Sequence, residues 1–375
     1  MDWTEFLAPP LRSLAPYRPG ITEEKLRRER GLREIYKFSS NEAPFSPSPA
    51  ALAAMQGALT QSNRYPDAQA LLDQLAARLH VPLDTLVLGT GSIDVIGALV
   101  RAFVSPEHNV VLSEYGYCAY PAFVTEQGAA LRIAASGPHF GHDVEQLLAR
   151  VDGRTRMILV DSPTNLSGQS LDATALTRLV DGLPAHVLLI LDEAYAEFTD
   201  SSAPRDTEQL PLRHPNVIVT RTFSKAYGLA GLRIGYGIAA AGLIDCLNRI
   251  RPPFPASRVA LAGAAAALDD VAYLKRIVSA TLSGRRRLTD ALRAMNVTVF
   301  DGNANFVLTD FGLAAKTVYE GLLKRGFITR AMNTYGLPTH LRISVGAADE
   351  VEKLLGAIKQ LLEATSDNTT RGAYR

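Results

Sequence analysis

Five short aliphatic runs, none alternating with polar residues, constrain this chain more than any other feature. They are Leu86-Val87-Leu88, Val110-Val111-Leu112, Met157-Ile158-Leu159-Val160, Val187-Leu188-Leu189-Ile190-Leu191 and Val217-Ile218-Val219. A strand with one wet face alternates, whereas a strand that is apolar throughout is covered on both faces. Helical patterns separate the runs. Leu71, Leu72, Leu75, Ala76 and Leu79 share a face, residues 93–104 read as a buried helix, and residues 122–127 suggest a shorter one. Alternating strands and helices predict an α/β fold: a mostly parallel sheet sandwiched by helices. Ligands in such sheets sit at the carboxyl ends of the strands. The residues that follow each run are therefore the informative ones.

The pattern changes at Arg251-Pro252-Pro253-Phe254-Pro255. An Ala-rich helical stretch follows, then strands at 305–308 and 341–345. Leu354, Leu355, Ile358, Leu361 and Leu362 mark a closing amphipathic helix. These predict a smaller α+β domain. The expected organisation is an N-terminal segment (1–48) that contributes to the small domain and the substrate side, a large domain (49–250), a small domain (251–364) and a flexible tail (365–375). Thr22 is placed to cap a charged helix running to Arg33, with Lys25, Arg27, Arg28 and Arg30 on a solvated face. A net charge of +1 provides no bulk field for nucleic acid or an anionic membrane. No apolar run reaches a membrane span, the N-terminus lacks a signal-peptide layout, and two cysteines make no disulfide framework. Those features predict a cytoplasmic protein. Histidine and cysteine spacing predicts no metal site.

Five strand ends carry chemistry. After Val217-Ile218-Val219 comes a Gly- and hydroxyl-rich stretch, Thr220 to Gly237, with Lys225 walled by Phe223 and Tyr227. A lysine held there can form a Schiff base with an aldehyde. The hydroxyls of Thr222 and Ser224, with the guanidinium of Arg233, can hold a phosphate. An aldehyde and a phosphate on one small molecule point to pyridoxal phosphate. Gly89-Thr90-Gly91-Ser92 joins a strand to a helix N-terminus, which suits a phosphate; a plain tight turn explains it equally well. Asp192 ends another strand and can pair with a protonated ring nitrogen, or simply cap a turn. Tyr195 and the amide of Asn165 can hydrogen-bond a ring oxygen, though Asn165 also fits an ordinary Pro/Gly turn. Tyr115, Tyr117 and Tyr120 offer either a stacking plate or a core aromatic cluster. Arg342, inside the apolar run Leu341 to Val345, is a carboxylate clamp or half of an internal salt bridge.

Taken together these residues resemble the fold-type I pyridoxal phosphate aminotransferases, close to the histidinol-phosphate aminotransferases, over nearly the whole chain. The motifs are Leu14-Ala15-Pro16-Tyr17-Arg18-Pro19-Gly20, Ser39-Ser40-Asn41-Glu42, Arg64-Tyr65-Pro66-Asp67, Asp192-Glu193-Ala194-Tyr195-Ala196-Glu197-Phe198, Thr220 to Gly237, Ala304-Asn305-Phe306-Val307-Leu308, and Tyr335-Gly336-Leu337-Pro338 leading to Leu341-Arg342-Ile343. The resemblance implies Lys225 as the Schiff-base lysine and Asp192 as the partner of the ring nitrogen. Asn165 and Tyr195 should hold the ring oxygen, and Tyr117 should stack on the ring. Gly91, Ser92, Thr222, Ser224 and Arg233 should form the phosphate cup. It implies a homodimer in which Tyr65 reaches the partner's cofactor, and a substrate side lined by Tyr17, Asn41, Arg330 and Arg342. The implied reaction takes an amino group from histidinol phosphate or a related amine and gives it to a keto acid, 2-oxoglutarate being the expected acceptor.

Three segments depart from the family pattern. Ser162-Pro163-Thr164-Asn165-Leu166-Ser167-Gly168 stands where Asn-Pro-x-Asn-Pro-Thr-Gly is usual, Ile93 precedes Asp94 where an acidic pair is usual, and Phe254-Pro255-Ala256-Ser257-Arg258 replaces a Pro-Phe-Asn-Val pattern. They bear on the donor rather than the cofactor. The rival readings are an aminotransferase for an aromatic or other specialised amino acid, a threonine-phosphate decarboxylase-like enzyme, and a regulator with an aminotransferase-like sensor domain. The last needs a DNA-binding domain, for which the motifs beginning near residue 14 leave no room.

Overall fold

The computed structural model describes residues 1–16, 20–199 and 206–372, with 365–372 by backbone alone. After a two-residue strand β1 (Tyr36–Lys37), seven strands build the large sheet: β2 (Leu86–Gly89), β3 (Asn109–Ser113), β4 (Ala130–Ala134), β5 (Thr155–Asp161), β6 (Leu188–Asp192), β7 (Val217–Thr222) and β8 (Gly235–Ile238). Their order is β2-β8-β7-β6-β5-β3-β4. Every pair from β7 to β4 is parallel, whereas β8 runs antiparallel to both β2 and β7. The carboxyl ends of β2, β3, β5, β6 and β7 thus share one edge.

Two cores explain why the runs do not alternate. Val110, Leu112, Met157, Leu159, Ile190 and Ile218 pack on one face with Val95, Ile96 and Leu99 of the helix Ser92–Phe103. The residues between them, Val111, Ile158, Val160, Leu189, Leu191, Val217 and Val219, pack on the other face with Leu176, Leu179 and Val180 of the helix Ala173–Asp181. Full burial of one such side chain contributes about 1.5–3 kcal/mol, so both faces demand apolar residues.

A second sheet follows: β9 (Thr298–Phe300), β10 (Phe306–Asp310), β12 (Arg330–Met332) and β13 (Leu337–Ser344), antiparallel, in the order β12-β13-β10-β9. The short β11 (Phe327–Ile328) pairs in parallel with β1 instead. Phe38, just after β1, is fully buried among Val307, Leu322, Ile343, Leu354 and Ile358. This N-terminal contact carries residues 39–42 across to the large sheet.

The structure corrects several boundaries. Both β4 and β8 lie outside the apolar runs. β4 is a half-exposed edge strand rich in alanine. β8 is Gly-Tyr-Gly-Ile because side chains do not fit: a Cβ on Gly235 would sit 2.7 Å from the Gly91 carbonyl carbon. β6 begins one residue later than the apolar run and includes Asp192. Thr22 caps its helix by accepting from the Lys25 amide, but Gly31 in the left-handed region ends that helix at Arg30. The closing helix runs Ala348–Gly372, past the expected end at 364. Once nucleated, a helix gains a hydrogen bond per added residue without needing an apolar face.

Candidate active site

The strand ends surround a cavity of about 360 Å³, within the range of small-molecule sites. Of the residues singled out in the sequence, Gly91, Ser92, Tyr117, Asn165, Asp192, Tyr195, Thr222, Ser224, Lys225 and Arg233 all line it. A cavity of about 350 Å³ lies elsewhere in the fold; there Arg221 pairs with Glu193 and Glu208, each at 2.9 Å, and Glu197 keeps one buried oxygen without a partner. The first cavity is the one that gathers the strand-end residues.

At its base, β7 ends in a turn shaped by Thr222, whose Oγ1 accepts from the Ser224 amide at 3.1 Å and donates to Ser224 Oγ at 2.9 Å. Lys225 follows. Its Nζ donates to the Ser40 carbonyl at 3.2 Å and lies 5.6 Å from the Tyr195 ring centre. Burial, reinforced by the Arg342 charge, lowers its pKa to about 8. It is therefore an amine that is partly neutral near physiological pH.

One wall is built for an anion. Arg233 Nη1 reaches Ser224 Oγ at 3.4 Å, and Nη2 reaches the Thr90 carbonyl at 3.4 Å. The helix Ser92–Phe103 begins at Gly91 with no side-chain cap on its amides, so its N-terminal dipole faces the cavity. Gly91 is required there: its φ is +86°, and a Cβ would stand 2.7 Å from Arg233 Nη2.

Further residues at the cavity carry carboxylates and hydroxyls. Asp192 accepts from Tyr120 Oη through Oδ2 and from Thr220 Oγ1 through Oδ1, both at 3.1 Å. Burial, with the charge of neighbouring Asp161, raises its pKa to about 7. Tyr195 Oη accepts from Asn165 Nδ2 at 2.8 Å and Asn41 Nδ2 at 2.9 Å. With both lone pairs taken, its own proton is left for a ligand. Arg342 Nη1 donates to the carbonyl of Asn165 at 2.6 Å and to its Oδ1 at 2.9 Å, which fixes the Asn165 amide with nitrogen toward Tyr195.

Arg342 is 7% exposed, stands 5.0 Å from the Phe306 ring centre, and has no partner for Nε. No carboxylate pairs with it among the described residues, so the internal salt bridge is not what keeps it there. Of the tyrosine plate, Tyr117 opens to the cavity. Tyr120 is buried edge-on to it at 5.4 Å, and Tyr115 packs on Phe140. Arg330 sits opposite Arg342 in the β12–β13 register, and neither arginine, nor Asn41, is among the residues lining the cavity. Tyr65 is also outside it, 78% exposed and stacked on Phe254 at 4.7 Å. Tyr17 lies outside the described residues.

Sequence reasoning gave no role to Asp161, Thr220 or Ser40, and read Tyr120 only as part of an aromatic plate or core cluster. Asp161 lines the cavity beside Asp192, its register partner. That position, the last residue of an apolar run directly across from another such aspartate, was the available signal. Ser40 contributes only its carbonyl, which no side-chain pattern announces.

A family model described as aminotransferase class I and II matches residues 33–358. Histidinol-phosphate aminotransferase 1 of Thiobacillus denitrificans is 43% identical over 362 residues, covering 95% of this chain and 94% of that protein. The protein of that name from Nitrosococcus oceani is 40% identical over 356 residues, covering 94% and 96%. A crystal structure of histidinol-phosphate aminotransferase from Sinorhizobium meliloti, in complex with pyridoxal-5'-phosphate, superposes with a TM-score of 0.88 at 30% identity, covering 96% of this chain and 98% of that one. The cavity suits that cofactor: an anion wall that a single Cβ at Gly91 would obstruct, a partly neutral amine, and a buried carboxylate, Asp192, all line it. The chain belongs to the class I and II aminotransferases and is a pyridoxal phosphate-dependent enzyme of that family.

Proposed function

We propose that this enzyme transfers the amino group of histidinol phosphate to 2-oxoglutarate and that Lys225 carries the cofactor covalently between turnovers. The observation that carries the donor assignment is Arg342: a buried guanidinium with a bare Nε, held beside Asn165 and Tyr195 and paired with no carboxylate among the described residues. Such a charge is costly unless an anion completes it. The donor's phosphate and the acceptor's carboxylate can each do so in turn. The names of the relatives support the same donor.

When bound, pyridoxal phosphate supplies the carbonyl that takes the amino group and the electron-withdrawing ring that stabilises charge left at the donor's α-carbon. In this reading Gly91, Ser92, Thr222, Ser224 and Arg233 hold its phosphate. Asp192 would pair with the ring nitrogen, Asn165 and Tyr195 would hold the ring oxygen, and Tyr117 would stack on the ring. Lys225 Nζ, freed when the donor's amine replaces it on the cofactor and partly neutral, would take the proton from the donor's α-carbon and deliver it to the cofactor's former aldehyde carbon. Tyr195 Oη donates its free proton to the ring oxygen. Tyr17, Asn41 and Arg330 belong to the substrate side. A homodimer, with Tyr65 reaching the partner's cofactor, and a cytoplasmic location belong to the same proposal. No helix among the described residues is long and apolar enough to cross a membrane.

A donor panel tests the reading. With 2-oxoglutarate as acceptor, kcat/KM for histidinol phosphate should exceed that for histidinol and phenylalanine by at least 100-fold. Comparable values for phenylalanine would transfer the assignment to an aromatic amino acid donor.

A further inference from the structure

Two buried carboxylates at neighbouring strand ends line the cofactor cavity where one ring nitrogen needs one. Asp161 and Asp192 are direct neighbours at the ends of β5 and β6, both are buried, and both line the cavity. Neighbouring strands lie about 5 Å apart. No lysine or arginine forms an ion pair with either among the described residues. The one group of opposite character on Asp161 is His142, whose Nε2 is 2.8 Å from the Asp161 carbonyl and 3.4 Å from Oδ1. His142 Nδ1 is buried without a partner.

Asp161 also holds the cavity's two loops. Its Oδ2 accepts from the Asn165 amide at 2.5 Å and its Oδ1 from the Tyr117 amide at 3.3 Å. One carboxylate thus ties the stacking residue to the residue that faces the ring oxygen.

We propose that Asp161 is a second carboxylate of the cofactor site, a positioning residue that sets the loops of Tyr117 and Asn165 and adds its negative charge to that of Asp192 to favour a cationic ring. Two buried like charges side by side disfavour each other. Accordingly, the Asp161 charge helps push the Asp192 pKa up, after burial itself. The groups around the pair are His142, Glu193, Lys225, Tyr120 on the helix Tyr120–Glu126, and the hydroxyls of Tyr195 and Tyr335; burial first, with the Asp161 charge among the further causes, raises the pKa values of the three tyrosines. A cationic group bound beside the pair would relieve the repulsion. The inference rests on the pyridoxal phosphate assignment, whose failure would show separately as wild-type protein that binds no pyridoxal phosphate.

The test is Asp161→Asn, compared with wild type in three measurements on the apoprotein: thermal melting, affinity for pyridoxal phosphate, and affinity for its analogue with C–H in place of the ring nitrogen. The asparagine carbonyl can keep the Asn165 amide, while its NH2 stands where Oδ1 accepted from the Tyr117 amide, so one long hydrogen bond is lost as the repulsion is relieved. The apoprotein should therefore still fold, with a melting temperature close to that of wild type. Affinity for pyridoxal phosphate should fall about tenfold, and affinity for the analogue by clearly less. Unchanged affinity for pyridoxal phosphate would overturn the proposal. So would an apoprotein that fails to fold, or equal losses for both ligands, since these assign Asp161 a structural role alone.

Discussion

At the residue scale the site is a set of groups held away from their ordinary states. Asp192 is the clearest. Its pKa rises from 3.8 to about 7, chiefly through burial. Between those values the folded apoprotein holds a proton that the unfolded chain has released. That contribution to stability is complete below 3.8 and is lost as pH rises through about 7. The melting-temperature difference between wild-type and Asp192→Asn apoprotein should therefore fall as pH rises across that window. A difference independent of pH would count against the shift. Lys225 behaves in the opposite sense. Its pKa falls from 10.5 to about 8, so the unfolded chain holds the extra proton between them, and the apoprotein should gain stability as pH rises from about 8 toward 10.5. Lys225→Ala should lack that gain, fold normally and show no turnover. Arg342→Leu removes the charge and frees the Asn165 amide at once. It should cost at least 100-fold in kcat/KM for histidinol phosphate, on the order of 3 kcal/mol, measured by steady-state kinetics.

At the element scale the site depends on how closely two strands and a helix end approach. Gly235 of β8 lies against the Gly91–Ser92 turn, and a Cβ there meets the Ser92 amide and, at 2.7 Å, the Gly91 carbonyl carbon. Neither is a flexible side chain that could give way. Gly235→Ala should push the helix N-terminus out, costing about 1–3 kcal/mol in stability and weakening pyridoxal phosphate binding, both measurable by thermal melting with and without cofactor. Such glycines also explain what the sequence left illegible. The central strands could be read because burial on both faces demands continuous apolar runs. β8 could not, because crowding replaced its apolar residues with glycine, nor could β4, whose exposed edge needs no apolar run. Lys225, Asp192, Asn165 and Thr222 could be placed at the cavity from sequence because each lies within six residues after an apolar run. Asp161 occupies an equivalent place, yet it stood unread because its role depends on the neighbouring strand.

At the scale of the whole molecule, residues distant in sequence converge on one edge. Phe38 anchors the N-terminal segment in the small-domain core, which lets Ser40 reach Lys225 and Asn41 reach Tyr195. Tyr65, in contrast, points away from its own chain's cavity. It stacks on Phe254, and its carbonyl accepts from Arg258 Nη2 at 2.7 Å. If it serves a partner's site, then Tyr65→Ala and Lys225→Ala, each inactive or impaired alone, should recover activity when co-expressed, because mixed dimers hold one intact site. No recovery would reject the shared site. The most direct test of the central claim is one half of the reaction. Wild-type enzyme loaded with pyridoxal phosphate is mixed with histidinol phosphate, without any keto acid, and its absorbance is followed. The visible band of the lysine-bound cofactor should give way to the near-ultraviolet band of pyridoxamine phosphate, with one keto product formed per site, and 2-oxoglutarate should restore the visible band. A visible band unmoved by histidinol phosphate would contradict the assignment of this donor.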